Sequence, residues 1–151
     1  MWQRIQTVYL LLALAVTVTC LSLPVGTFVS DGMGDDTVMY NLWKIEPEGV
    51  FNFSVWPLFA LLLVTCPLCL FTIFAYHNRK LQSRLCVLCV LLNLAWLAVC
   101  AVFGYVTIGE GLTFRPAFAA CLPVVGIVFY LLARRGIRSD ERLVRSMDRI
   151  R

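Results

Sequence analysis

Four long stretches of this sequence contain no Asp, Glu, Lys or Arg: residues 5–30, 49–78, 85–109 and 116–133. Ion-coupled relays inside a membrane are built on such side chains, so a proton- or ion-coupled mechanism has no carriers here. Histidine is almost missing as well. His77 is the single one in the chain, and it stands at a polar boundary, where it reads as an interfacial residue rather than a base or a ligand. No repeat relates the two halves, which removes the usual pointer to an alternating-access transporter. No residue earns a catalytic role on this pattern, and no cofactor is implied.

Apolar residues make up 60% of the 151 positions and charged ones 15%, with a mean hydropathy of +0.82. That balance lies far from soluble proteins and marks a membrane protein. A helix needs about 20 apolar residues, rising ~1.5 Å each, to cross a hydrocarbon core of ~30 Å. The four charge-free runs predict transmembrane helices over about 5–23, 56–76, 85–106 and 116–133. The first resembles a secretory signal, but no small-x-small site follows it, so it is expected to stay as an uncleaved helix closed by Pro24 and Gly26.

Orientation comes from residues 77–84, a hinge between the second and third runs. Arg79, Lys80 and Arg84 stand there with no acid beside them. The connection over 28–55 has Lys44 alone as its basic residue, and the one over 107–115 has Arg115 alone. Short loops rich in Lys and Arg stay cytoplasmic, so the hinge and both termini are expected inside the cell.

The 28–55 connection is too long to be structureless. Residues 37–45 are β-branched and aromatic, 46–49 carry Pro and Gly placed for a tight turn, and 50–55 resume the strand pattern. A small extracytoplasmic β-hairpin is predicted, with Tyr40, Trp43, Phe51, Phe53 and Trp56 suited to the headgroup layer. Asp31, Asp35 and Asp36 do not follow EF-hand spacing and read as a solvated turn.

After residue 133 the chain turns basic. Arg134, Arg135, Arg138, Arg142, Arg145, Arg149 and Arg151 oppose Asp140, Glu141 and Asp148. The 134–151 segment reads as a cytoplasmic tail carrying an amphipathic helix from Asp140 on, with Ser139 as its N-cap. Leu143, Val144, Met147 and Ile150 form its apolar face, and Arg142, Arg145 and Arg149 the other. Such a helix suits an anionic membrane surface or a partner protein. Nucleic acid is a poor match, because no aromatic is interleaved with the arginines.

The two ends carry a resemblance. Residues 3–12, Gln-Arg-Ile-Gln-Thr-Val-Tyr-Leu-Leu-Leu, together with Ile-Arg-Ser-Asp-Glu at 137–141, Leu-Val-Arg-Ser at 143–146 and Asp-Arg-Ile-Arg at 148–151, resemble a bacterial family of small four-helix membrane proteins, domain of unknown function 4293. Trp2 and Ser139 depart from its pattern, where an aliphatic and a basic residue are expected. The resemblance implies a multi-pass protein of the bacterial inner membrane and supplies no catalytic residues.

The sharpest chemical feature is a pair of CxxC motifs, Cys66 with Cys69 and Cys86 with Cys89, separated by 16 residues. In a soluble protein that spacing points to zinc. Counting from the hinge at ~1.5 Å per residue places Cys66 about 16 Å into the membrane, Cys69 about 11 Å, Cys89 about 7 Å and Cys86 about 3 Å. Four thiolates so spread cannot share one ion unless a helix breaks, for instance at Pro67. Redox pairs of this type sit exposed at helix N-termini, whereas these lie in apolar runs, so the cysteines read first as packing residues. Asn93 reads as a hydrogen-bonding link between helices. Ala95, Ala98, Ala101 and Gly104 form a small-residue ridge, facing either a neighbouring helix or a second copy of the chain.

The expectation is therefore an all-α membrane protein: a four-helix domain over 1–133 with its outer hairpin, followed by the 134–151 tail. It is expected to be non-enzymatic. Its cytoplasmic face, built from Gln3, Arg4, Gln6, Arg142, Arg145, Asp148 and Arg149, would meet a partner protein or anionic lipid. Homo-oligomerisation through the ridge stays open. A thiol redox or metal protein using Cys66, Cys69, Cys86 and Cys89 is the first alternative, and a small-solute carrier or channel subunit the second.

Overall fold

The charge-free runs fold as helices in the computed structural model, which describes residues 2–30, 36–46, 49–75, 78–106 and 112–148. Helix α1 is Trp2–Ser22, α2 Trp56–Phe74, α3 Arg79–Val106 and α4 Leu122–Asp148. All four are long and apolar enough to cross a membrane. Hydrocarbon offers no hydrogen bonds, so polar groups in such helices have to be satisfied within the protein. The hydroxyls of Thr17, Thr65 and Thr72 accordingly donate to the carbonyls of Ala13, Leu61 and Leu68, each four residues back in the same helix.

The helices pack in sequence around a ring, with α1 against both α2 and α4, and α3 against both α2 and α4. Helices α1 and α4 run antiparallel: the Gln6 side chain meets Asp140 at one end, and the Cys20 thiol lies 3.5 Å from the Ala119 carbonyl at the other. The core forms two stacked clusters. One gathers Cys20, Phe28, Met39, Leu58, Leu62 and Trp96; the other gathers Leu10, Cys69, Cys86, Cys89, Tyr130 and Ile137. Leu63, Phe71, Leu91, Val102, Val128 and Leu131 are exposed apolar residues on the outer faces, the distribution that a lipid-facing helix shows.

Capping the first cluster is an antiparallel sheet of five strands: β1 Gly26–Ser30, β2 Thr37–Met39, β3 Lys44–Ile45, β4 Phe51–Asn52 and β5 Leu112–Pro116, in the order β4-β3-β2-β1-β5. The fold is thus mostly helical with a small sheet, not all-α, and the two-stranded hairpin is corrected. Residues 37–45 make two strands, because the chain turns where the Tyr40 amide donates to the Trp43 carbonyl at 2.9 Å. The expected turn after them is present: the Gly49 amide donates to the Glu46 carbonyl at 2.8 Å, and Gly49 takes a φ of +74°, which L side chains adopt poorly. Strand β5 joins from the far end of the chain, pairing Phe114 with Phe28.

Three helix boundaries also differ from expectation. Residues 79–84 are the first turns of α3 and not a loop, since Arg, Lys, Leu and Gln are good helix formers and the Gln82 amide finds the Asn78 carbonyl at 3.0 Å. His77 lies outside the described residues. Residues 116–121 are not α-helix: Pro116 closes β5, and Phe118–Cys121 form a 3-10 turn before α4 begins. Beyond 133, α4 continues unbroken to Asp148, which places Ser139 in a helix interior and removes its role as an N-cap. Pro67 sits inside α2 without ending it.

Candidate functional site

At the end of the bundle away from the sheet, α1 and α4 are clasped by buried polar groups. Gln6 and Asp140 are both buried, and the Gln6 amide donates to the Asp140 carboxylate at 2.5 Å. The helices approach closely there because Gly136 has no side chain. A Cβ on Gly136 would meet Gln6 Cγ at 3.0 Å. The Gln82 side-chain amide of α3 likewise donates to the Thr72 carbonyl of α2 at 3.2 Å, tying those two helices to each other.

With Ala133, Ile137 and Asp140 turned inward, the opposite face of α4 presents arginines. Leu131, Arg134, Arg135, Arg138, Ser139 and Arg142 line a groove of about 490 Å³. Arg135, Arg138, Ser139 and Arg142 are exposed, and Arg134 is half-buried. The Arg134 Nε is enclosed and has no hydrogen-bond partner among the described residues. A second groove of about 310 Å³ lies between Ile5, Gln6 and Tyr9 of α1 and Leu132, Arg135, Gly136 and Ser139 of α4. Arg135 and Ser139 therefore separate the two grooves.

Of the residues expected to form this face, Gln6 belongs to the clasp and Arg142 to the arginine groove. Gln3 and Arg4 lie in the helical backbone of α1, and Arg145 and Asp148 in that of α4; Arg149 lies outside the described residues. Sequence reasoning missed Arg134, Arg135, Arg138 and Ser139 as site residues. The signal was present, since 131, 134, 135, 138 and 142 recur at i, i+3, i+4, i+7 and i+11, a single helical stripe.

The sheet end has its own buried polar set. The Asn41 amide donates to the Cys20 carbonyl at 2.6 Å, while the Trp96 indole donates to the Asn41 carbonyl oxygen at 3.1 Å. Lys44 is buried in β3, its ammonium 5.1 Å from the Phe28 ring centre and 5.9 Å from that of Phe103. Burial pulls the Lys44 pKa below its ordinary value, with Glu46 acting the other way. Tyr40, Trp43 and Phe51 form an aromatic chain with ring centres 5.9 and 6.2 Å apart, and Phe51, Phe53 and Trp56 are exposed.

The cysteines are arranged differently from the depth count. Because the hinge is short, Cys69 lies about 8 Å from the end of α2 and Cys86 about 10 Å from the start of α3, and both pack with Cys89 in one cluster. Cys66 is half-buried, and all seven cysteines are free thiols. Among the described residues no three His, Cys, Asp or Glu side chains converge as a metal site would require. Asn93 is buried and donates to the Cys89 carbonyl of its own helix at 2.8 Å, so that bond is not the link between helices that was expected. Ala95, Ala98 and Ala101 are exposed, which rules out packing of the whole ridge inside the bundle.

Four apolar helices of spanning length, capped by a sheet at one end, define a multi-pass membrane protein. The chain belongs to the family described as Domain of unknown function (DUF4293), whose model matches residues 2–150. No curated protein matches it.

Proposed function

We propose that this is a non-enzymatic protein of the bacterial inner membrane whose cytoplasmic face, made from the start of α1 and the continuation of α4, engages a partner protein or anionic lipid. The observation that carries this reading is the clasp between Gln6 and Asp140. It ties α4 beyond its apolar part to α1, so the arginines are borne on a braced helix. The basic residues Arg79, Lys80 and Arg84 at the start of α3 share that end of the bundle and support a cytoplasmic orientation.

The reading is tested in two steps. A reporter fused after Arg151 is expected to be active in the cytoplasm; activity confined to the periplasm overturns the orientation. Deleting residues 143–151, which spares Asp140, is expected to leave membrane insertion intact while removing proteins crosslinked to the full chain in native membranes. An unchanged crosslinking pattern overturns the docking role of that segment.

A further inference from the structure

Along one face of α4 the chemistry changes abruptly. Val124, Val128 and Leu131 are exposed aliphatic residues, and the same face continues as Arg134, Arg135, Arg138 and Arg142, which line the 490 Å³ groove with Leu131 and Ser139. At about 100° per residue these positions keep to one side of the helix, opposite the buried Ala133, Ile137 and Asp140. A face that is apolar and then cationic matches the profile of a lipid molecule lying alongside it, acyl chain first and headgroup beyond.

We propose that this groove binds the phosphodiester headgroup of an anionic phospholipid, with Leu131 against the upper acyl chain. The proposal rests on the basic face described above and names its ligand; it holds for whichever leaflet that face meets. Arg134, Arg135 and Arg138 are spread over about 6 Å of helix axis, comparable to a headgroup layer of roughly 5–8 Å, and Arg142 lies one turn further out. Guanidinium groups present paired donors that fit phosphate oxygens. Ser139 adds a hydroxyl to the groove lining. Glu141, three residues from Arg138, leaves the cluster net positive. A free phosphate ion would use the arginines but not the aliphatic run before them, and that run is what favours the lipid.

The test is a titration of the purified full chain in neutral detergent, read by native mass spectrometry, with phosphatidylglycerol and phosphatidylcholine of identical acyl chains. Phosphatidylglycerol is expected to bind at least tenfold more tightly. Each cation near an anionic lipid contributes about 1 kcal/mol, so Arg138→Gln with Arg142→Gln is expected to weaken that binding about tenfold or more. Arg138→Lys with Arg142→Lys should recover part of it. Thermal unfolding without added lipid shows whether the Gln pair folds. If it does not, the wild-type preference and the single Arg134→Gln variant decide the matter.

Equal affinity for the two lipids overturns the proposal, as does a well-folded Gln pair that binds like wild type. Displacement of the lipid by millimolar inorganic phosphate alone also overturns it, by assigning the site to a free anion. A C-terminal reporter active outside the cytoplasm would sink the proposed orientation without touching this preference, so the two readings fail separately.

Discussion

At the sheet end, five strands and the Asn41 amide join α1 and α3 through backbone pairing and buried hydrogen bonds. At the other end the polar links are single side-chain contacts between neighbouring helices, Gln6 of α1 on Asp140 of α4 and Gln82 of α3 on the Thr72 carbonyl of α2. The first end is held by many groups whose partners are fixed by the chain itself, the second by a few that can be edited one at a time. The sheet end should therefore govern whether the protein folds, and the arginine end how it meets its surroundings.

The strongest way to break this contrast is Asn41→Leu. It strands the Trp96 indole and the Cys20 carbonyl together, and should cost roughly 2–4 kcal/mol, seen as a large fall in thermal unfolding temperature in detergent. Next is Gly136→Val, which drives a side chain into Gln6 and should cost about 1–3 kcal/mol. Cysteine crosslinks placed across α1 and α4 should report their separation, and an undisturbed crosslinking efficiency would count against close packing there. Asp140→Ala removes the partner of a buried amide, for about 1–2 kcal/mol by denaturant titration.

Lys44 sharpens the comparison through pH. Its folded pKa lies below the ordinary 10.5, so the unfolded chain binds the proton more readily. Stability should rise as pH climbs through the folded pKa toward that ordinary value, and fall as pH drops through it. Lys44→Met should flatten this part of the profile, whereas a variant of Arg138 should not. The smallest effect on folding is expected from Arg138→Gln with Arg142→Gln, within about 0.5 kcal/mol by thermal unfolding without lipid, because both side chains are exposed.

The helices were legible in the sequence because their signal is local: uninterrupted apolar runs of spanning length. The sheet was only half legible. Residues 46–49 announced their turn, but β1 and β5 are short, lie beside helix ends, and pair across the whole bundle, so nothing near Gly26 or Pro116 reveals the other. Charge misled at two boundaries. Arg79 and Lys80 were read as a loop for their charge although their helix propensity is high, and the acids at 140 and 141 imitated a helix start while Asp140 was in fact a buried partner for Gln6. The arginine stripe was readable from spacing alone, but only once α4 was known to run through residue 133 without interruption.

Strand β1 has neighbours on both sides that arrive at very different times during synthesis. Thr37–Met39 follows it within a few residues, whereas Leu112–Pro116 emerges only after two further helices. Until then one edge of β1 stays open to any strand that passes. A chain stalled or cut before residue 112 would lack that partner and keep the edge bare, so an open β1 edge would mark a chain that has not yet made β5.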